Sequence, residues 1–346
     1  MNKILHINLS SAFGGGERQT ANLISFLSRQ PGIEQVLITR PGNPLAELGE
    51  QYGCRVVEAK NQLQRHFSSV SRGVDLVHCH DGRAVYWGLL HRWLTGTPYL
   101  ISRRVEHPIS AKRSSRWAYQ NAEKIICLSR AIRSQVAKVA AIDKTVIIPS
   151  ACFPVPSDPE KSAAIRARYP GKRLIGQIGA LIDLKGQRYT LEVAKQLRHS
   201  HPEVHFLFLG SGPNLEELKH LSAGLSNVEF VGQIQNVGDY LACFELLLMP
   251  SLMEGFGSTI LEAMHHGVAV IASEVGGIPD IIQNQSNGLL VPPADSQALE
   301  DAVVRLLEQP TEREQIAERG RQTVEAYHPD VVFNQCWALY RDLLGL

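Results

Sequence analysis

Leu246-Leu247-Leu248-Met249-Pro250-Ser251-Leu252-Met253-Glu254-Gly255-Phe256-Gly257-Ser258-Thr259-Ile260-Leu261-Glu262-Ala263-Met264 is an apolar strand, a glycine turn and the start of a helix, in that order. Gly255 and Gly257 open the turn, and the helix begins near Ser258. The first N–H groups of a helix have no partner inside it, so this end can receive an anion such as a diphosphate. Glu262 lies one helical turn beyond Ser258 and offers a carboxylate on the same face, suited to a pair of ribose hydroxyls. Glu254 precedes the turn, where it can meet a sugar. The competing reading is a plain capped helix.

Working outward, strand, loop and helix alternate along the chain. Strands are expected at Lys3–Asn8, Val36–Thr39, Asp75–His78, Tyr99–Ser102, Lys124–Cys127 and Thr145–Ile148. A second set falls at Leu174–Gly179, His205–Gly210, Val228–Val231, Leu246–Pro250 and Ala269–Ala272. Helices are expected at Glu17–Arg29, Gln187–His199, Asn214–Ala223, Ser258–His266, Gln297–Glu308 and Val331–Leu344. The alternation specifies α/β architecture with parallel sheets covered on both faces. Between the two sets, Cys152–Glu160 carries three prolines and reads as a linker. The expectation is two doubly wound, Rossmann-like domains, 1–153 and 160–328, facing a cleft that would hold the ligand.

Composition narrows the function classes. The 346 residues include 35 Lys+Arg against 34 Asp+Glu, and a net charge of +1 gives no reason to expect nucleic acid as a partner. The six cysteines are scattered without metal-ligand spacing, as buried thiols in a reducing cytoplasm would be. The first ten residues are strand-like rather than a signal peptide, and no run reaches the ~20 apolar residues of a membrane span. Any membrane contact is expected to be peripheral.

Four further stretches can carry chemistry. Gly14-Gly15-Gly16-Glu17 joins the first strand to a helix start, where backbone can approach an anion; a tight turn is the alternative. Val77-His78-Cys79-His80-Asp81 ends a strand, and alternation sends His78 and His80 to one side. There a histidine can bond a hydroxyl or steady charge; structural histidines or a metal site are the alternatives, and no third ligand is visible for a metal. Ser102-Arg103-Arg104-Val105-Glu106-His107, with Lys112, Arg113 and Arg116, is the one dense basic stretch and suits an acidic acceptor or an anionic membrane face, against a merely solvated surface. Lys185 follows a strand and precedes a helix, where it can neutralise a phosphate or stand as an ordinary surface lysine.

On these residues the chain resembles glycosyltransferase family 4, retaining enzymes of GT-B fold that use nucleotide-activated sugars. Glu254 and Glu262, with seven residues between them, match the family's paired-glutamate motif. The resemblance implies a hexosyl or related transfer to an acceptor hydroxyl of a glycan or glycolipid, without metal or cofactor. It implies that Glu254 meets donor-sugar hydroxyls, that Gly255, Phe256, Gly257, Ser258 and Thr259 surround phosphate and ribose, and that Glu262 holds the ribose. Lys185 would bind the diphosphate, Gly15 would approach it, and His80 would stand beside the reacting centre, so that His80, Lys185 and Glu254 form the catalytic set. It also implies that the final helix, 329–346, packs back on the first, acceptor-side domain. Arg103 and Arg104 are the acceptor-side candidates, with a lipopolysaccharide core precursor as the expected kind of acceptor and the cytoplasmic face of the inner membrane as the expected place. Two positions depart from the family: Ala180 stands where an arginine usually follows Gly179, and Pro149-Ser150-Ala151 replaces proline-asparagine-glycine. Other classes that fit are a sugar-nucleotide epimerase or hydrolase, and an inactive sugar-nucleotide-binding partner.

Overall fold

The computed structural model describes all residues, Met1–Leu346. The chain divides into two compact units, Met1–Ala151 with Pro329–Leu346, and Cys152–His328. In the first unit seven strands, β1 (Asn2–Asn8), β2 (Ile33–Thr39), β3 (Arg55–Glu58), β4 (Leu76–Cys79), β5 (Tyr99–Arg103), β6 (Lys124–Cys127) and β7 (Thr145–Ile147), form one sheet. Its order is β3-β2-β1-β4-β5-β6-β7, with every pair parallel. The second unit has six, β8 (Arg173–Ile178), β9 (Val204–Leu209), β10 (Val228–Gly232), β11 (Leu246–Met249), β12 (Ala269–Ser273) and β13 (Leu289–Val291). They follow the order β10-β9-β8-β11-β12-β13, again all parallel.

Helices cover both sheets. The first unit carries α1 (Gly15–Leu27), α2 (Leu45–Gln51), α3 (Ala84–Thr95), α4 (Arg113–Gln120) and α5 (Arg130–Ala137). The second carries α6 (Pro159–Ala167), α7 (Gln187–Ser200), α8 (Leu215–Leu221), α9 (Gly238–Leu241), α10 (Ser258–His265), α11 (Ile278–Ile281), α12 (Ser296–Glu308) and α13 (Pro310–Val324). The last helix, α14 (Pro329–Leu344), returns to the first unit and packs Val332, Phe333, Cys336 and Tyr340 against Ile4, Leu76 and Leu100.

Three sequence expectations need correction. The strands β3 and β13 were not anticipated; both are sheet edges of three or four residues, too short to show a period. The proline-rich linker ends sooner than Glu160: Asp158 accepts hydrogen bonds from the Glu160 and Lys161 amides, and Pro159 opens α6. Proline at a first helical position loses no hydrogen bond, so it starts helices as well as it stops them. Cys152 and Phe153, read with the first domain, lie with the second unit, where the Cys152 amide donates to the Tyr327 carbonyl.

In each sheet the winding reverses once, between β1 and β4 and between β8 and β11. At such a switch point the two following loops turn to opposite faces and leave room for a ligand at the carboxyl ends. The β1–α1 loop ends at Gly14 with Gly15 and Gly16 opening α1, and the β4–α3 loop holds His80; the loops after β8 and β11 hold Lys185 and Glu254.

One buried contact ties α14 to the first switch point. Tyr340 is fully buried, and its hydroxyl hydrogen-bonds the Nδ1 of His78 on β4. A Tyr340→Phe variant keeps the ring but leaves a buried imidazole nitrogen without its partner, a loss of about 1–3 kcal/mol. Denaturant unfolding, followed by a probe in the first unit, should show the corresponding drop in midpoint; an unchanged midpoint would mean that the contact contributes nothing.

Candidate functional site

The face of the first sheet beneath α1 and α14 changes character along its strands. Ile4, Leu76 and Leu100 build the apolar core. Two residues further along each strand stand His6, His78 and Ser102, and register places His6 directly beside His78. The rings of His78 and His80 lie with centroids 3.8 Å apart, so both do share one side. His6 was not singled out in the sequence, yet it completes a trio whose ligand atoms all lie within 4.8 Å of one another. The expectation that no third potential metal ligand stood beside His78 and His80 is therefore corrected. The only signal was a polar residue within an otherwise apolar strand.

The trio is bonded as a network. His6 Nδ1 lies 3.0 Å from His80 Nε2, and His6 Nε2 lies 3.2 Å from Gln35 Oε1. His78 uses Nδ1 for Tyr340 and Nε2 for Ser102 Oγ at 2.8 Å. His80 Nδ1 is buried and has no partner. Burial pushes His6 down to about 4, with the Gln35 hydrogen bond opposing it. Burial, the neighbouring histidines and Arg104 hold His80 well below the ordinary imidazole range; burial, His6 and Arg104 do the same for His78. All three are neutral imidazoles near pH 7. With both nitrogens of His6 and of His78 engaged by the protein, the arrangement is a hydrogen-bonded relay rather than an open set of metal ligands.

His80 lines a cavity of about 340 Å³ together with Gly16, Glu17, Asp81, Arg103 and Arg104. Two of these neighbours have structural work. Asp81 accepts from the Leu9, Arg83 and Ala84 amides, which fixes the start of α3 against β1. Its carboxylate is thus committed to backbone rather than offered outward. Glu17 accepts from the Gly14 amide at 2.9 Å, so a carboxylate already sits at the end of the glycine loop. The loop's capacity for an anion is reduced to the amides beyond it, beginning at Gly15.

The basic stretch is split by the fold. Arg103 and Arg104 are half-buried in the cavity wall, with Arg103 also bonded to the His107 carbonyl. Lys112, Arg113 and Arg116 are exposed at the start and on the outer side of α4, beside an exposed Trp117. Tyr86 of α3 bonds Ser115 of α4 at 2.6 Å, which sets the two helices together, and Trp93 of α3 is 75% exposed.

In the second unit the loops after β8 and β11 are stitched to each other. The Leu252 amide donates to the Leu184 carbonyl at 2.8 Å, and Gln177 of β8 donates to the Lys185 carbonyl at 2.8 Å. Gly186, at φ +67°, lets the chain pass so close to Pro250 that a Cβ there would stand 2.0 Å from the Pro250 carbonyl oxygen. The result is that Lys185 Nζ lies 2.5 Å from Glu254 Oε2. Gly257, at φ +91°, is the N-cap of α10, so the Ser258 and Thr259 amides emerge beside this pair. Glu262 is half-buried one turn along the same helix.

Two side chains differ from expectation. Phe256 is buried and packs on Tyr327 with centroids 5.8 Å apart, which leaves only its backbone for a ligand. Ala180 is exposed, and Arg188 pairs at the surface with Asp183 at 3.4 Å and Glu217 at 3.1 Å. The glycine turn after β12 also meets this segment, since the Gly277 amide donates to the Glu254 carbonyl at 2.9 Å.

Comparison with known proteins bears on family and fold. The model for Glycosyltransferase Family 4 matches residues 13–151, and that for Glycosyl transferases group 1 matches residues 172–309. The chain is 27% identical to an alpha-D-kanosaminyltransferase of Streptomyces kanamyceticus over 73% of this chain and 68% of that one. It is 29% identical to a sulfoquinovosyl transferase of Arabidopsis thaliana over 90% of this chain and 68% of the relative. Among solved structures, Anabaena HepE in complex with UDP and glucose superposes with a TM-score of 0.84 at 19% identity, covering 99% of this chain and 100% of that one. The lipopolysaccharide outer core galactosyltransferase WaaB in its apo form gives 0.76 at 18% identity, over 99% and 100%. With residues 13–151 matched to Glycosyltransferase Family 4, residues 172–309 matched to Glycosyl transferases group 1, and the fold shared with the solved structures above, the chain belongs to the glycosyltransferases of GT-B fold that transfer a sugar from a nucleotide sugar.

Proposed function

We propose that this enzyme moves a sugar from a nucleoside diphosphate sugar to an acceptor hydroxyl with retention at the anomeric carbon. The observation that carries the reading is the Lys185–Glu254 pair beside the N-terminus of α10. In the empty site the two charges neutralise each other. An entering diphosphate competes for Lys185, binds the Ser258 and Thr259 amides, and frees Glu254 for the sugar hydroxyls. Departure of the diphosphate is the costly event, and Lys185 with the helix N–H groups stabilises the charge it develops. This positive charge supplies what a divalent cation would supply elsewhere, so turnover is expected to survive chelation. Glu262 accepts from the ribose. A HepE structure described with UDP-glucose makes uridine diphosphate sugars the first donors to try.

The first unit would serve the acceptor. His80 meets a hydroxyl in the cavity, while Arg103 and Arg104 answer a phosphorylated or lipid-linked glycan. Lys112, Arg113 and Arg116 with Trp93 and Trp117 suit peripheral contact with an anionic membrane face on the cytoplasmic side, in lipopolysaccharide or other cell-surface glycan synthesis. No helix of the chain is long and apolar enough to cross a membrane.

The donor grip predicts separable effects. Lys185→Met should weaken nucleoside diphosphate binding about ten- to a hundredfold, the worth of one charged hydrogen bond. Glu254→Gln should leave that affinity intact or tighter while turnover collapses, because it releases the lysine. Glu262→Ala should weaken the nucleotide but leave inorganic pyrophosphate binding unchanged. Calorimetry reads all three, and wild-type affinity in Lys185→Met would remove the proposed grip. Incubation of donor alone, followed by NMR, separates transferase from hydrolase or epimerase, and the product anomer tests retention.

The acid limb of activity carries a second test. Because burial, with the neighbouring histidines and Arg104, holds His80 well below the ordinary imidazole range, His80 is still neutral at pH 6.5 and protonates only at more acid pH. The expected kcat/KM is flat from pH 8 to pH 6. A limb centred on 6.5 that disappears in His80→Gln would show that His80 titrates as an ordinary imidazole and contradict this role.

A further inference from the structure

We propose that Gln35 and His6 are positioning residues that hold His80 in a single tautomer, with Nδ1 presented to the cavity as a hydrogen-bond acceptor for a substrate hydroxyl. The inference rests on the reading that His80 meets the substrate, and it follows from a chain of donor and acceptor assignments.

The chain starts at backbone. Gln35 is buried on β2 and lies 3.1 Å from the carbonyl oxygen of Ile24 on α1. A carbonyl only accepts, so the group facing it is the amide nitrogen. The Gln35 oxygen therefore points the other way, toward His6 Nε2 at 3.2 Å. A carboxamide oxygen also only accepts, so His6 carries its proton on Nε2. A neutral imidazole has one N–H, which leaves a lone pair on His6 Nδ1. His80 Nε2, 3.0 Å away, must then be the donor. The second nitrogen of His80, Nδ1, is left with a lone pair and no hydrogen.

Two observations connect this to the substrate. Of the six ring nitrogens in the trio, His80 Nδ1 is the one without a partner, and it is buried. A buried polar atom without a partner is a cost that a fold ordinarily avoids. The same residue lines the 340 Å³ cavity at the switch point, where a ligand hydroxyl can supply the missing hydrogen. The ring cannot turn to present its other edge, because His78 lies against it at 3.8 Å and is itself held by Ser102 and Tyr340. The site thus asks for a hydrogen-bond donor at this point. A substrate in which that hydroxyl is deoxygenated or O-methylated would be refused.

The test is long-range nitrogen–proton NMR on histidine-labelled protein, which reports each ring's tautomer directly. The expected wild-type result is His80 with Nε2 protonated and a free lone pair on Nδ1, whose resonance moves toward a hydrogen-bonded value on saturation with donor sugar or acceptor. An Nδ1-protonated or imidazolium His80 overturns the proposal. Gln35→Met matches the side chain in size but removes the acceptor. It should mix the tautomers of His6 and His80 and lower kcat about tenfold with donor KM within twofold, as loss of an interaction made in the transition state does. An unchanged His80 tautomer in Gln35→Met overturns the relay. His6→Asn, which can offer an amide oxygen near the place of Nδ1, should restore the tautomer that His6→Phe loses. A cooperative denaturant transition followed by a probe in the first unit checks that each variant is folded. If the tautomers follow Gln35 while His80→Gln retains full kcat, the relay stands and the reading of His80 as a substrate contact falls.

Discussion

Parallel strands bring all their carboxyl ends to one edge, and a sheet wound in both directions must reverse somewhere along that edge. That constraint places everything else in this chain. The reversals between β1 and β4 and between β8 and β11 create the two places where successive loops part. The residues with chemistry collect there: Gly15 and His80 at one, Lys185 and Glu254 at the other. The buried apolar side chains of the same strands are chiefly Ile, Leu and Val, as suits strands covered on both faces.

The two switch points handle polarity in opposite ways. In the first unit the polar groups are kept neutral. Desolvation disfavours imidazolium, and the relay from Gln35 through His6 to His80 accommodates three histidines without any charge. In the second unit two full charges are kept, but close together and partly exposed, with side chains 26% and 14% accessible. A neutral relay orients a hydroxyl and changes little with salt. A charge pair can exchange one partner for another, which is what a diphosphate requires of it.

Much of this was legible in the sequence, for reasons that can be named. Lys185, Glu254, Gly257 and Glu262 fall in loops and helix starts whose geometry is local, so spacing alone locates them. The pairing of His78 with His80 followed from strand alternation. What could not be read depends on registers between strands distant in sequence. His6 and Gln35 are 74 and 45 residues from His80, and only the β2-β1-β4 order brings them together. Asp81 and Glu17 are taken up by backbone amides, a commitment that no motif displays. Phe256 sits inside the glycine segment, yet packing against Tyr327, 71 residues later, withdraws its side chain. Edge strands β3 and β13 are too short for a period to show.

Ala180 bears on how a donor is attracted. A second cation after Gly179 would leave the site positive even with Lys185 paired, and long-range attraction would then help to gather the nucleotide. Here Arg188 is occupied by Asp183 and Glu217, and Lys185 is occupied by Glu254. On the proposed reading, a diphosphate would gain its hold at contact, through the helix amides and by displacing Glu254 from Lys185. The same displacement would make Glu254 available to the sugar. A bare phosphate or a nucleotide without sugar would free the glutamate but leave it unsatisfied, at a cost, whereas the complete donor supplies hydroxyls to meet it.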